Sequence, residues 1–181
     1  MIVSRKKNLA KMQPRKLNLS EVKSLLRQKK VNPDVVRNVL LKSTDKIVLD
    51  SVINHFVKNA KKGDVRSKLF LNRLVSKKFN SNIISRERVL GEFRGLAKKG
   101  DSLGLRGLLI GVKDPVLTNR FFALWGLREL AERGDARVLP GLLTGVKDFN
   151  LANRSWALKG LEALAKKGNA SAKNFLEELK N

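Results

Sequence analysis

Lys98-Lys99-Gly100-Asp101 is the stretch on which the fold turns. It has an earlier copy in Lys61-Lys62-Gly63-Asp64 and later ones in Glu132-Arg133-Gly134-Asp135 and Lys166-Lys167-Gly168-Asn169, at steps of 37, 34 and 34 residues. Glycine takes the left-handed conformation that closes a helix more readily than any other residue. Basic side chains in the last turn favour the negative end of the helix dipole. Asp or Asn after the glycine is a good N-cap for the next helix. Each copy therefore predicts the end of one helix and the start of another, and a fixed period in this range predicts stacked units that touch mainly their neighbours.

The rest of the chain aligns outward from that marker. Gly107-Leu108-Leu109-Ile110-Gly111-Val112-Lys113-Asp114 matches Gly141-Leu142-Leu143-Thr144-Gly145-Val146-Lys147-Asp148. Asn119-Arg120 matches Asn153-Arg154, and Ala123-Leu124 matches Ala157-Leu158. One period earlier, Arg86, Leu90, Leu96, Ala97 and Gly100 hold the same columns, with Phe93 where Leu127 and Leu161 stand. A further 37 residues back, Val52, Ile53, Phe56, Ala60 and Gly63 continue the apolar columns, while Leu49 takes the place of the arginine. Arg86, Val89, Leu90, Phe93, Leu96 and Ala97 recur at helical spacing, the stripe of a helix buried on one side. Each unit reads as a helical hairpin, and Gly126 and Gly160 sit where helices need close approach.

On Asp114 to Arg120 and Asp148 to Arg154 the chain resembles the HEAT-repeat family, most closely the short form first named from phycobiliprotein lyases. The shared pattern is a Leu-Leu helix ending in Val-Lys-Asp, an arginine six residues later, and an Ala-Leu-x-x-Leu-x-x-Leu-Ala helix ending in Gly. The likeness covers 101–169 best, then 64–100, and is weakest over 32–63, where Ser43 and Leu49 hold the Asp and Arg columns. It implies an all-α, right-handed α-solenoid of about four HEAT-like helical hairpins. Their bounds are about 32–63, 64–100, 101–134 and 135–168, behind a flexible basic arm at 1–18 and closed by a capping helix at 170–180. Within the repeat domain, 19–181, Asp114, Arg120, Asp148 and Arg154 would form a structural ladder between repeats. The aromatic signature of tetratricopeptide repeats and the Thr-Pro-Leu-His of ankyrin repeats are absent.

Composition bounds the function. The 181 residues carry 39 Lys or Arg against 16 Asp or Glu, a net charge of +23. Residues 1–100 hold 26 of those bases and 7 of the acids, so +19, and residues 101–181 hold 13 and 9, so +4. A polyanion-binding half, RNA or DNA, is therefore expected at the N-terminal side. Its candidate contacts are Arg5, Lys6, Lys7, Lys11, Arg15 and Lys16 on the arm; Lys23, Arg27, Lys29 and Lys30 on a helix opened by Ser20; and Lys61, Lys62, Arg66, Lys68, Arg73, Lys77, Lys78, Lys98 and Lys99. The last-turn residues Lys61, Lys62, Lys98, Lys99, Arg133, Lys166 and Lys167 would line up as a ridge along one edge of a stack.

The near-neutral half carries Phe122, Trp125 and Trp156, which suit a protein partner at the C-terminal repeats. Trp125 and Glu129 lie one turn apart, opposite the stripe Arg120, Ala123, Leu124, Leu127, Leu130 and Ala131. An exposed aromatic beside a carboxylate is similar to the alkylpurine DNA glycosylases of HEAT-like architecture, which set such residues on a concave surface against damaged DNA.

Absences narrow the rest. The chain has no Cys, its one histidine, His55, lacks ligand-spaced partners, and there is no Walker loop, dinucleotide fingerprint or Ser elbow. No metal, no cofactor and no catalysis are expected. No stretch reaches the length of a membrane span and the N-terminus lacks a signal-peptide core, so a soluble, cytoplasmic monomer is expected.

Overall fold

The computed structural model describes residues 17–27, 35–36, 38–39, 43, 45–75 and 83–180. Within them the chain is all-α, with no strand. The helices are α1 (Leu19–Leu26), α2 (Lys46–Lys61), α3 (Val65–Leu74), α4 (Ile83–Ala97), α5 (Ser102–Gly111), α6 (Leu117–Glu132), α7 (Leu139–Gly145, after a 3-10 turn at Ala136–Val138), α8 (Leu151–Lys166) and α9 (Ala170–Glu178). None of the described helices is long and apolar enough to cross a membrane.

The recurring tetrapeptide does what its chemistry predicts. Gly63, Gly100, Gly134 and Gly168 all have positive φ, between 81° and 94°. Asp64, Asp101 and Asn169 then accept amide hydrogens as N-caps of α3, α5 and α9, and Asp135 caps the 3-10 turn. A side chain at Gly100 would sit in open space yet at φ +81°. Gly91 is helical with nothing near its added Cβ. Gly100→Ala is therefore expected to cost about 1 kcal/mol from strain alone, while Gly91→Ala stabilises by up to about 1 kcal/mol through helix propensity. Thermal unfolding of the two variants should move in opposite directions.

One helix start differs from the sequence expectation. The cap of α1 is Asn18, not Ser20, because Asn18 and Glu21 close a reciprocal capping box, Glu21 N to Asn18 Oδ1 at 3.0 Å and Asn18 N to Glu21 Oε2 at 3.0 Å. Helix α3 ends at Leu74 with Val75 as C-cap, before Lys77. On α9 the fully buried residue is Ala172, with Phe175 and Leu176 half-buried, whereas Ala170 and Leu179 are exposed.

Packing follows the repeat. Helices α2, α4, α6 and α8 pack each on the next, α3, α5 and α7 do the same beside them, and sequence neighbours close each pair. The core runs through the columns read from the sequence, with Ile53, Leu90, Phe93, Leu108, Leu124, Leu127, Leu142 and Leu161 each under 2% exposed, and it also takes in Leu49, from the arginine column, and Leu71. Close approach is set by glycine. A Cβ at Gly104 would lie 2.7 Å from the Ala97 amide nitrogen and 2.9 Å from the Phe93 carbonyl oxygen, so α4 and α5 touch through backbone there. At Gly160 it would lie 2.7 Å from Leu142 Cδ2, and at Gly126, 2.9 Å from Leu108 Cδ1, which gives both residues the close-packing role expected of them.

The arginine and aspartate columns meet across units. Arg120 clamps Asp148 with Nε to Oδ2 at 2.6 Å and Nη2 to Oδ1 at 3.0 Å. Arg86 makes the preceding rung to Asp114 at 2.9 Å. Each aspartate is also held within its own unit, Asp114 by Asn119 and the Val116 amide, Asp148 by Asn153 and the Asn150 amide. Each later arginine spends its Nη1 on its own loop: Arg120 donates to the carbonyls of Asp114 and Pro115, Arg154 to those of Asp148 and Phe149. Asn119 and Asn153 are 0% exposed, and their matching in the sequence carried this signal without revealing the role.

Candidate nucleic-acid interface

The last-turn cations of successive helices abut. Arg133 Nη1 donates to the Lys98 carbonyl at 3.0 Å, and the Lys167 side chain lies 3.9 Å from where a Cβ would stand on Gly134. The turns at 98–100, 133–134 and 167–168 therefore form one continuous basic edge. Along it Lys99, Arg133, Lys166 and Lys167 are exposed, as is Lys62 on the turn that closes α2. Lys61 and Lys98 each reach an acid on the next helix, Glu92 at 2.8 Å and Glu129 at 2.9 Å.

The remaining candidates divide. Arg66 and Arg73 are exposed on α3. Lys68 is committed, because its ammonium pairs with Asp101, the N-cap of α5, and its side chain is only 15% exposed. Burial alone would push the Asp101 carboxyl up, but the Lys68 hydrogen bond and the Gly104 and Leu103 amides outweigh it and hold the group below its ordinary value. Arg5, Lys6, Lys7, Lys11, Arg15, Lys16, Lys29, Lys30, Lys77 and Lys78 lie outside the described residues.

Five of the seven acids of the N-terminal half are occupied with structure. Asp45 and Asp64 cap α2 and α3, Asp50 binds Arg88 at 2.6 Å, Glu92 binds Lys61, and Glu21 closes the box of α1. Lys23, Arg27, Lys46, Lys58, Lys62, Arg66 and Lys99 remain exposed, with no carboxylate in salt-bridge contact among the described residues. The local excess is thus presented to solvent, where ammonium and guanidinium groups can exchange counterions for phosphates.

At the other end, Phe121, Phe122, Trp125 and Trp156 form a ring cluster with centroids 5.6 to 6.5 Å apart. Arg94 lies 3.7 Å over Trp125 while holding Glu129 through Nε at 2.5 Å and Nη2 at 2.7 Å, and Arg128 lies 4.6 Å over Trp156. Arg94 and Arg128 occupy equivalent columns and each covers a tryptophan, although the rings themselves differ in column, since Trp156 matches Phe122 and Trp125 matches Lys159. Trp125 is half-buried under this arginine, not an open platform. Burial pushes the Glu129 carboxyl up, yet hydrogen bonds from Arg94 and Lys98 outweigh that and keep it ionised below its ordinary range.

The most exposed large apolar side chains of this half are elsewhere: Phe149 is 99% exposed and Leu151 71%. No repeat column singles Phe149 out, because Pro115 holds the equivalent place. No group of three or more metal-ligating side chains occurs among the described residues. No family model and no curated protein matches this chain.

Proposed function

We propose that the chain is a non-enzymatic adaptor, a right-handed α-solenoid of about four HEAT-like hairpins, that binds RNA or DNA through phosphate contacts of its basic N-terminal half. The observation that carries this reading is the fate of five of the seven acids that stand against 26 bases in residues 1–100. Those five serve caps and inter-helix pairs, and leave the exposed cations of α1, α2 and the stacked turns without a carboxylate in salt-bridge contact among the described residues. A ribonucleoprotein surface would suit such an edge, which follows a backbone without reading bases.

The test is a titration against labelled duplex DNA, duplex RNA and structured ribosomal RNA at ~50 and ~200 mM salt. Lys62→Glu, Arg66→Glu and Lys99→Glu together change exposed residues only. They are expected to make the slope of log affinity on log salt shallower by about 2 to 3, since each lost phosphate contact removes roughly 0.9 from it on duplex DNA. Trp125→Ala should leave that slope alone. An unchanged slope in the triple variant overturns the reading.

A protein-scaffold reading is favoured by one observation, the exposed Phe149 and Leu151 on the near-neutral half. The glycosylase reading rests on Trp125 and Glu129, which here share Arg94 as a partner. Base release from alkylated DNA that Glu129→Gln abolishes would favour it.

A further inference from the structure

Between α1 and α2 lies an open cleft of about 270 Å³ whose polar lining comes from two facing stripes, Lys23 and Arg27 on α1 and Ser51, Asn54, His55 and Lys58 on α2. The spacing within each stripe is helical, so the packing of α1 on α2 is what brings three cations together from distant parts of the sequence. No carboxylate lines the cleft among the described residues. The acids of the flanking elements are committed elsewhere: Glu21 to the opposite end of α1, Asp50 to Arg88, and Asp64 to the Ser67 amide at 2.9 Å.

The neutral groups point to the same chemistry. Arg88 Nη2 donates to Asn54 Oδ1 at 2.6 Å, which fixes the amide with its NH₂ still available to donate. His55 Nε2 lies 3.1 Å from Asn59 Nδ2 and accepts from it, which leaves Nδ1–H as the ring's free donor. Burial lowers the affinity of His55 for a proton, and Lys58 adds to this against the opposing pull of Asp64, so the ring is neutral near pH 7. Ser51 can donate its hydroxyl hydrogen. Two ammonium groups, a guanidinium, an amide NH₂, a ring N–H and a hydroxyl are a donor set with no committed acceptor. Helix-dipole compensation accounts for Lys23 and Arg27 near the end of α1 and for Lys58 near the end of α2, taken singly. It does not account for their convergence on one cleft with no carboxylate among its described lining.

We propose that this cleft seats one phosphate group of a bound nucleic-acid strand, with Lys23, Arg27 and Lys58 neutralising it and Asn54 and His55 donating to its oxygens. The proposal rests on the nucleic-acid reading above and gives it a defined anchoring point, distinct from the edge formed by the helix-end turns.

The decisive experiment uses the full chain with labelled single-stranded RNA and duplex DNA, comparing wild type, the Lys23→Ala, Arg27→Ala, Lys58→Ala triple variant and the Lys62, Arg66, Lys99 variant already described. His55 is the only histidine, so its ring protons give a single reporter within the cleft. The expected result is that the cleft variant binds about tenfold more weakly, with a salt slope shallower by about 0.7 to 0.9, one phosphate contact. His55 signals should move on adding RNA to wild type and to the edge variant, and stay put in the cleft variant. A wild type that binds while the cleft variant binds as tightly, with His55 unmoved, overturns this proposal and leaves the adaptor reading standing. A wild type that binds neither polymer overturns both. All three cleft cations are exposed, and the His55 signal of the free variant checks its fold.

Discussion

Asp148→Ala is expected to cost the fold about 3–5 kcal/mol, the magnitude usual when one partner of a buried ion pair is removed and the other is left unpaired. The side chain is 3% exposed and accepts four hydrogen bonds, two from Arg120 and one each from Asn153 and the Asn150 amide. Its removal strands a guanidinium that is itself 15% exposed and a fully buried amide, and it uncouples α6 from the loop that starts α8. By contrast the Lys173–Glu177 pair, 3.9 Å apart with both side chains more than half exposed, should contribute almost nothing. Urea unfolding of Asp148→Ala beside Glu177→Ala would separate the two cases, and a loss below about 1 kcal/mol for Asp148→Ala would refute the ladder as a stabilising element.

The same aspartate sets a pH dependence. Burial pushes its carboxyl up, but Arg120, the Asn150 amide and Asn153 together hold it at about 2 in the fold against an ordinary 3.8. A carboxyl depressed by folding stabilises above its unfolded value and loses that contribution as pH falls through its folded one. Wild type should therefore lose about 2 kcal/mol through this group between roughly pH 4 and pH 2, and Asp148→Ala should lack that share of the acid sensitivity. Arg120, whose own pKa is raised by Asp148, titrates far outside this window.

Much of the fold was legible because its determinants are local and recur. A glycine forced to positive φ between a basic turn and an Asp or Asn cap specifies a helix end whatever surrounds it. Leu90, Leu124 and Leu127 at helical spacing specify which side is buried. What sequence could not supply were contacts that depend on how two distant helices are rotated against each other. Trp125 and Glu129 read as an open pair because their own helix leaves them off the core stripe. Only the packing of α4 on α6 brings Arg94 over the ring and onto the carboxylate. Lys68 reads as one more surface base until Asp101 of the next unit is seen beside it. Lys58 lies far from Lys23 and Arg27 in the sequence, and their meeting is a product of α1 docking on α2.

These tertiary pairings also alter how the charge is to be read. A count of bases treats Lys61, Lys68, Arg94 and Lys98 as equal to Lys62 or Arg66, although the first four are each engaged with an acid. An engaged base must break an existing pair before it meets a phosphate, so its net contribution to a polyanion is smaller than that of an unengaged one. The proposed binding surface is accordingly narrower than the basic composition suggests, and it is concentrated on helix ends and on the α1–α2 cleft.

Phe93→Ala is expected to cost about 3–5 kcal/mol, the usual range for deleting a fully buried aromatic side chain. Phe93 is 0% exposed, and it occupies the column that Leu127 and Leu161 fill in the next two units. The larger ring fits there because Gly107 of α5 has no side chain: a Cβ on Gly107 would stand well inside contact distance of the Phe93 ring. Gly107→Ala alone is therefore expected to cost about 1–3 kcal/mol by overpacking, despite the helix propensity it gains. The two changes should not add. With Phe93 shortened the clash disappears and the new methyl fills part of the vacated space, so the double variant should be more stable than the sum of the single losses by roughly 1–3 kcal/mol. Equilibrium denaturation of the four proteins closes the cycle. Additive losses would mean that Phe93 and Gly107 are not opposed, and with that the register of α4 on α5, on which the succession of units depends, would have to be different.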